Sequence, residues 1–359
     1  MAKKINQLLE NMVSARASDL HLKIGRPPVH RIDGKLHPTD LDRIQQSDMD
    51  NFVYDVLSEA EQERFHKQCG IDIAYSLPGV SRFRVNVFYQ RGTVAMVIRT
   101  IPFQVATLKD LGMPDMVTNL AQQKSGLVLI TGPAGCGKST TLAAIIEHIN
   151  TNFEKQIITI EDPIEFLFKD KICSIVQREV GADTPSFVEG LRMVFRQDPD
   201  VIVIGEMRDL ETIQTAMGAA ETGHLVLSTL HTMDASQTAD RIIDSFPQTA
   251  QRQVRLQFSQ TLRGIISQRL VKRADEEGRY AAVEIMINSP TIAERLLEGR
   301  TGELYEAMRS SVEDFGMQTL EQSLVALRVH EIIDLKEAQH AASRLPDLDN
   351  AMRALFPDY

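Results

Sequence analysis

The sequence has no uninterrupted apolar run approaching the roughly 18 residues of a membrane-spanning helix, so no segment reads as a transmembrane span. Cysteine is nearly absent. Cys69, Cys136 and Cys173 stand far apart with no C-x-x-C pair, which indicates neither a disulfide framework nor a zinc knuckle. Thiols used this sparingly suit a reducing cytoplasm. Basic residues are in the minority, 39 Lys and Arg against 49 Asp and Glu, for a formal charge of −10. That balance argues against a chain built to coat nucleic acid. The basic start, Met1-Ala-Lys-Lys4, is not followed by the apolar core of a signal peptide. Repeats and low-complexity stretches are also lacking. What is there is 359 residues, 43% hydrophobic and 25% charged, an ordinary globular composition with room for about two domains.

The first hundred residues mix two periodicities. Ile5, Leu8, Leu9, Met12 and Val13 repeat at helical spacing. Leu20, Leu22 and Ile24 then alternate with polar neighbours, as in a half-buried strand, until Pro27-Pro28. Asp33-Gly34 predicts a hairpin turn, and helical text runs from about Ser47 to His66. Three further alternating runs follow: Ile71, Ile73 and Tyr75; Phe83, Val85 and Val87; and Val94, Met96 and Ile98. The expectation is an α+β domain over residues 1–100 and a linker over 101–112 beginning at Ile101-Pro102.

From residue 113 to 288 the pattern changes. Apolar runs at 127–130, 157–160, 201–204, 225–228 and 283–287 alternate with helical stretches, which predicts an α/β domain with a parallel sheet. Residues 289–359 read as helical up to an irregular tail around Leu345-Pro-Asp and Phe356-Pro-Asp-Tyr.

The chain is organised around Leu127–Thr141, L-V-L-I-T-G-P-A-G-C-G-K-S-T-T. Gly132, Pro133, Ala134, Gly135, Cys136, Gly137, Lys138 and Ser139 fit G-x-x-x-x-G-K-[ST] at every fixed position, with a strand signal before them and a helix signal after. Glycines let successive N–H groups turn inward at a helix N-terminus and make a concave anion site. Lys138 can reach the β- and γ-phosphates of a nucleotide, and the Ser139 hydroxyl can ligate Mg²⁺. Thr140 completes the loop's exit.

Hydrolysis needs carboxylates as well. One strand ends in Glu161-Asp162-Pro163-Ile164-Glu165 and another in Gly205-Glu206. Both would lie at the carboxyl edge of a parallel sheet, where ligands bind. His224 and His231 bracket a third strand. His231 follows its strand on the side expected for the γ-phosphate, which favours it over His224 as a phosphate sensor.

Taken in order, G-P-A-G-C-G-K-S-T, T-I-E-D-P-I-E, Q-R-E-V-G, R-Q-D-P-D-V-I-V-I-G-E-M-R-D and A-E-T-G-H-L-V-L-S-T-L-H-T resemble the bacterial secretion ATPase superfamily. Within it the chain is most similar to the type IV pilus retraction ATPases, the PilT/PilU branch. The likeness spans nearly the whole chain and includes Ala17–Leu22 and Ser81–Phe88. The resemblance implies an N-terminal PAS-like domain, a RecA-like P-loop ATPase domain and C-terminal helices, assembled as a homohexamer with ATP between the two domains. It makes Glu161, Asp162 and Glu165 an aspartate box, with Glu165 as the water-activating carboxylate and Glu161 as its rival. It makes Glu206 the Walker B glutamate, with Ser139 a holder of Mg²⁺, and it pairs His224 with His231. It also implies that arginines of the first domain reach the phosphates. Arg82, Arg84 and Arg99 stand in the matching stretches.

Two departures stand out. Cys136 replaces the family's usual Ser or Thr; a thiol at a helix N-terminus is expected to tend toward thiolate, while the favoured reading is a small residue tolerated by the turn. The family's A-I-R-N-L-I-R-E becomes Thr291-Ile-Ala-Glu-Arg-Leu-Leu-Glu298 here. The resemblance implies a Mg-dependent ATPase powering pilus retraction and twitching motility. It would work at the cytoplasmic side of the inner membrane on a polytopic platform protein, with a paralogous retraction ATPase as a further partner. The alternatives are an accessory nucleotide-binding paralogue and a pilus-assembly or type II secretion motor. The additional amino-terminal domain and four-cysteine knuckle of assembly motors are missing from the pattern, and a nucleic-acid translocase is disfavoured by charge.

Overall fold

A computed structural model describes residues 4–32, 34–101 and 105–355, so Asp33, Pro102 and the Phe356–Tyr359 tail lie outside the described residues. The chain divides into two compact units, residues 1–104 with 165–167, and residues 105–164 with 168–359.

The first unit contains α1 (Ile5–Ser14), β1 (Asp19–Lys23), β2 (Val29–Ile32), β3 (Lys35–Pro38), α2 (Gln46–Val56), α3 (Glu59–Gln68), β4 (Gly70–Leu77), β5 (Ser81–Gln90) and β6 (Thr93–Ile101). The strands form one antiparallel sheet in the order β3-β2-β1-β6-β5-β4. The alternation visible in the sequence sends Leu20, Leu22, Phe83, Val85, Val87, Met96 and Ile98 into one core with Leu9 and Met12 of α1, Phe52 of α2 and Phe65 of α3. The helical text expected as one run is two helices. They are separated where Ser58 caps α3, its hydroxyl accepting from Glu61 N–H while the Glu61 carboxylate accepts from Ser58 N–H.

The second unit contains α4 (Asp115–Ala121), β7 (Gly126–Thr131), α5 (Lys138–Asn152), β8 (Gln156–Glu161), β9 (Ser174–Glu179), α6 (Phe187–Val194), β10 (Val201–Ile204), α7 (Leu210–Glu221), β11 (Leu225–Leu230), α8 (Ala235–Asp244), α9 (Gln248–Thr261), β12 (Leu262–Lys272) and β13 (Arg279–Ile287). Then come α10 (Pro290–Glu298), α11 (Leu304–Ser310), α12 (Val312–Phe315), α13 (Leu320–Val329), α14 (Leu335–Ala341) and α15 (Leu345–Leu355). The sheet runs β13-β12-β7-β11-β10-β8-β9. Strands β7, β10 and β11 are buried along their whole length because cores cover both sheet faces.

The structure corrects three expectations. The run at 283–287 is not a parallel strand. It lies in β13, which pairs antiparallel with β12 and closes that end of the sheet. Strands β9 and β12 were not anticipated. In β9, apolar and polar residues alternate on an edge, and β12 follows α9 directly while carrying Ser267, Gln268 and Arg269 in its middle. The stretch around Leu345-Pro-Asp is helical. Pro346 sits at the helix start, where a missing N–H costs nothing, and Leu348 and Met352 bury one face. Among the described residues no helix is long and apolar enough to cross a membrane.

Candidate active site

The site begins where β7 runs out. Gly132, Gly135 and Gly137 turn the chain with φ of +141°, +75° and +90°. At Gly132 a Cβ would lie 2.4 Å from the Gln268 carbonyl oxygen and 2.6 Å from Cys136 Sγ, so no larger residue fits there. The loop delivers Lys138 as the first residue of α5, a helix of 15 residues with no side-chain N-cap, so its first N–H groups remain available to an anion.

Lys138 is buried, and its ammonium donates to the carbonyls of Gly132 at 2.8 Å and Pro133 at 3.0 Å. It also stands 3.2 Å from His231 Nδ1. An ammonium can only donate, so Nδ1 accepts and the ring proton resides on Nε2. That nitrogen faces Glu206 Oε1 at 3.4 Å, and the other oxygen of Glu206 binds Arg208 Nη2 at 2.8 Å. The hydrogen bond and then the charge of Glu206 raise the Arg208 guanidinium above its ordinary value, with a smaller contribution from Asp162. Lys138, His231, Glu206 and Arg208 thus form a continuous polar line across the tips of β7, β11 and β10.

Backbone pairing explains why these groups meet. Strand β11 is the parallel neighbour of both β7 and β10, so residues that follow the three strands emerge side by side. The turn carrying Glu206 is fixed by hydroxyls on β11: Thr229 donates to Gly205 O at 2.7 Å and Ser228 to Ile204 O at 2.8 Å. Gly205 N–H donates to Ile160 O, and a Cβ on Gly205 would come within 3.3 Å of Glu161 Cα, so β8 presents Glu161 beside that turn. The Glu161 carboxylate accepts from Thr159 at 2.6 Å and Gln177 at 3.2 Å. The loop beyond is lashed to α5 by fully buried Asn150, which donates to Lys169 O and accepts from Lys171 N–H. Ser139 and Thr140 are half-buried on the first turn of α5.

Glu165 is exposed and grouped with the first unit, so Glu161 is the carboxylate that the second unit itself places on a neighbouring strand tip. His224 precedes β11 and lies at the opposite end of that strand from the loop, about 20 Å away by strand rise. Its Nδ1 is 3.0 Å from Ala219 O and 3.2 Å from the Thr222 hydroxyl, both at the end of α7. The expectation that Cys136 tends toward thiolate is overturned. The side chain is buried, and desolvation raises its thiol despite the nearby Lys138 charge.

In the first unit, Arg84 of β5 and Arg99 of β6 are cross-strand partners, and with Arg82 they occupy the sheet face opposite the core. Arg99 donates to buried Asp19 at 2.7 Å, whereas Arg84 makes an exposed ion pair with Asp72 at 3.6 Å. Burial alone would raise the Asp19 carboxyl, but bonds from Ser18 and Arg99 outweigh it and leave the group below its ordinary value.

Residues missed in the sequence are Arg208, Thr229, Asn150 and Gln268. The first three stand inside or beside recognised runs. Gln268 belongs to a strand that was not read as one.

For a metal, no cluster of three or more His, Cys, Asp or Glu side chains exists among the described residues. Ser139 and Glu206 supply oxygen donors, the chemistry that suits Mg²⁺, which is usually held by few protein ligands together with substrate phosphates.

Residues 1–345 match the family described as Type II/IV secretion system protein. The chain is 42% identical to the type IV pilus retraction ATPase PilT of Pseudomonas aeruginosa, covering 96% of this chain and 99% of that protein. It is 40% identical to the type IV pilus ATPase PilU of the same organism, covering 96% and 90%. The fold is similar to the crystal structure of the pilus retraction motor PilT with bound ADP, with a TM-score of 0.89 at 43% identity over 97% of this chain and 99% of that one.

Proposed function

The chain belongs to the type II/IV secretion system protein family, on the branch of the pilus retraction ATPases, and from that premise we propose that it is a Mg-dependent ATP-hydrolysing motor that powers type IV pilus retraction and twitching motility. The observation that carries the reading is the contact of Lys138 with His231, and of His231 with Glu206, beside the glycine loop. This is a phosphate cradle with a histidine and a carboxylate at its open side.

In the proposed chemistry the backbone N–H groups of Ala134 to Thr140 cradle the β- and γ-phosphates, and Lys138 exchanges the carbonyls of Gly132 and Pro133 for phosphate oxygens. Ser139 and Glu206 would hold Mg²⁺, which when bound neutralises charge on the phosphates. Either Glu161 or Glu165 orients the attacking water. His231 senses the terminal phosphate through the lysine and Glu206. Arg82, Arg84 and Arg99 are the candidates for guanidinium contacts, and Arg84 would give up an exposed ion pair with Asp72, which is worth little.

In this reading residues 1–100 form a PAS-like domain, 113–288 a RecA-like core and 289–359 a helical region. Six copies make a ring on the cytoplasmic face of the inner membrane, acting on a polytopic platform protein. ATP closes the two domains of a subunit, and phosphate loss lets them separate. The nearly equal likeness to PilT and PilU favours a second reading, an accessory paralogue working beside a main motor.

Phosphate release by the purified protein tests the enzyme reading. Mg-dependent turnover is expected in the parent, with near-total loss in Lys138→Ala and Glu206→Ala. Equal rates in all three proteins would remove it. Retraction restored in a pilus-bearing strain that lacks its main motor would separate the motor from the accessory role.

A further inference from the structure

Gln268 is 1% exposed in the middle of β12, yet carries a polar side chain. Its Nε2 donates to the carbonyl of Cys136 at 2.7 Å, and its Oε1 is buried without a hydrogen-bond partner. After a register shift between Leu262 and Gly264, strand β12 follows β7 up to Ser267 opposite Thr131, so Gln268 is the first β12 residue beyond the pairing, level with the loop. Its backbone carbonyl abuts Gly132 at the loop's entrance, and its amide group abuts Gly137 at the exit, 3.2 Å from where a Cβ would stand. One residue therefore braces both ends of the loop.

The brace has a chemical consequence. In a trans peptide the C=O and the following N–H point to opposite sides. Holding the Cys136 carbonyl toward β12 turns the Gly137 N–H away from β12. We infer that Gln268 is a positioning residue for phosphate binding: it orients the Gly137 amide into the anion cradle and keeps the loop from rotating that peptide. Leaving Oε1 without a partner is costly for stability, and a buried polar group that is only half satisfied fits a position held for function rather than for packing. The inference rests on reading the loop as an ATP site.

A cradle amide contacts ground-state and transition-state phosphate alike, so its loss raises KM and leaves kcat nearly unchanged. The test uses the full-length protein, Gln268→Leu and Gln268→Glu, with Mg-ATP turnover and titration of a fluorescent ADP. Gln268→Leu is expected to raise KM and the ADP Kd on the order of tenfold, with kcat within about twofold. Gln268→Glu gives a second readout that a purely structural role would not move. An ionised carboxylate has no hydrogen to give the Cys136 carbonyl, whereas the protonated acid donates as the amide does. A buried carboxyl titrates high. The KM defect of Gln268→Glu should therefore be large near about pH 9 and shrink toward the parent value near about pH 6. If Gln268→Leu fails to fold, the Gln268→Glu profile decides alone. Parent-like KM and Kd in the variants at every pH, or loss of kcat with parent-like KM, overturns the inference while leaving the ATP site standing. A parent that neither binds ADP nor turns over ATP overturns the ATP reading and this inference with it.

Discussion

At the carboxyl edge of the parallel sheet, the residues that follow β7, β10 and β11 leave Lys138, Glu206 and His231 within reach of one another, whereas at the amino edge His224 uses its ring to finish α7. The two edges are made from the same strands, and backbone polarity separates them. At the carboxyl edge the chain runs from strand into helix N-termini, and the uncapped one of α5 leaves its first N–H groups to attract anions. At the amino edge it arrives from helix C-termini, whose carbonyls need donors, so Thr222 and His224 lie against the last carbonyls of α7. A histidine of identical chemistry thus faces a lysine at one end and a carbonyl at the other. Function at one edge and closure at the other follow from chain direction.

The largest expected effect lies at the carboxyl edge. Lys138→Ala should abolish measurable ATP turnover, and Glu206→Gln should lower kcat by about 100-fold or more. Neither should shift the melting temperature of the nucleotide-free protein by more than a few degrees, because both groups sit at the rim of the cores. A large drop in melting temperature would break the comparison by making this edge structural. His231→Ala comes next. Its ring links lysine and glutamate without touching the loop backbone, so a loss of roughly 10-fold to 100-fold in kcat is expected, read by the same phosphate-release assay.

A fourth group at this edge is expected to act on stability. Glu284 of β13 stands opposite Ser267, which in turn lies opposite Thr131 and accepts a hydrogen bond from it. The Glu284 carboxyl accepts from Ala235 N–H at the start of α8, and burial first, then the charges of Asp234 and Glu321, push it up to about 7 from an ordinary 4.5. Between those values the folded protein keeps a proton that the unfolded chain has lost. Stability from this group is therefore fully present at low pH and is lost as pH rises toward 7, by about 3 kcal/mol at most. Gln fills the same space and can still accept from Ala235. Glu284→Gln should flatten the pH dependence of denaturant midpoints and be the more stable protein at about pH 8. An unchanged slope would show that the group stays charged.

The first unit was legible strand by strand because a sheet with one buried face writes its register as alternation, and Phe83, Val85 and Val87 announce themselves. The phosphate loop was legible because its constraints are local: glycines at fixed φ and a lysine at fixed spacing. Strand β12 was not, since its neighbour β7 lies far back in the chain and its polar middle conceals its burial. Gln268 reaches across 132 positions to Cys136, a relation that no local pattern carries. The one available signal was a Ser-Gln pair directly after Ile265 and Ile266. The Cys136 thiol was misjudged for a related reason. Its place at a helix N-terminus is visible in the sequence, whereas the burial that outweighs that position comes from packing.

The smallest expected effect is at the amino edge, and it tests the comparison most directly. His224 sits against Ala219 O, the Thr222 hydroxyl and the edge of Phe195, whose ring centroid is 5.7 Å away. His224→Ala removes a donor from a helix end that Thr222 also serves, so a loss of about 1 kcal/mol in denaturant unfolding is expected. The kcat and KM per folded molecule should stay within about twofold of the parent, far from the His231→Ala result. A His224→Ala protein that unfolds like the parent but has lost turnover would mean that the amino edge also does chemistry. Chain direction would then no longer suffice to separate the two edges.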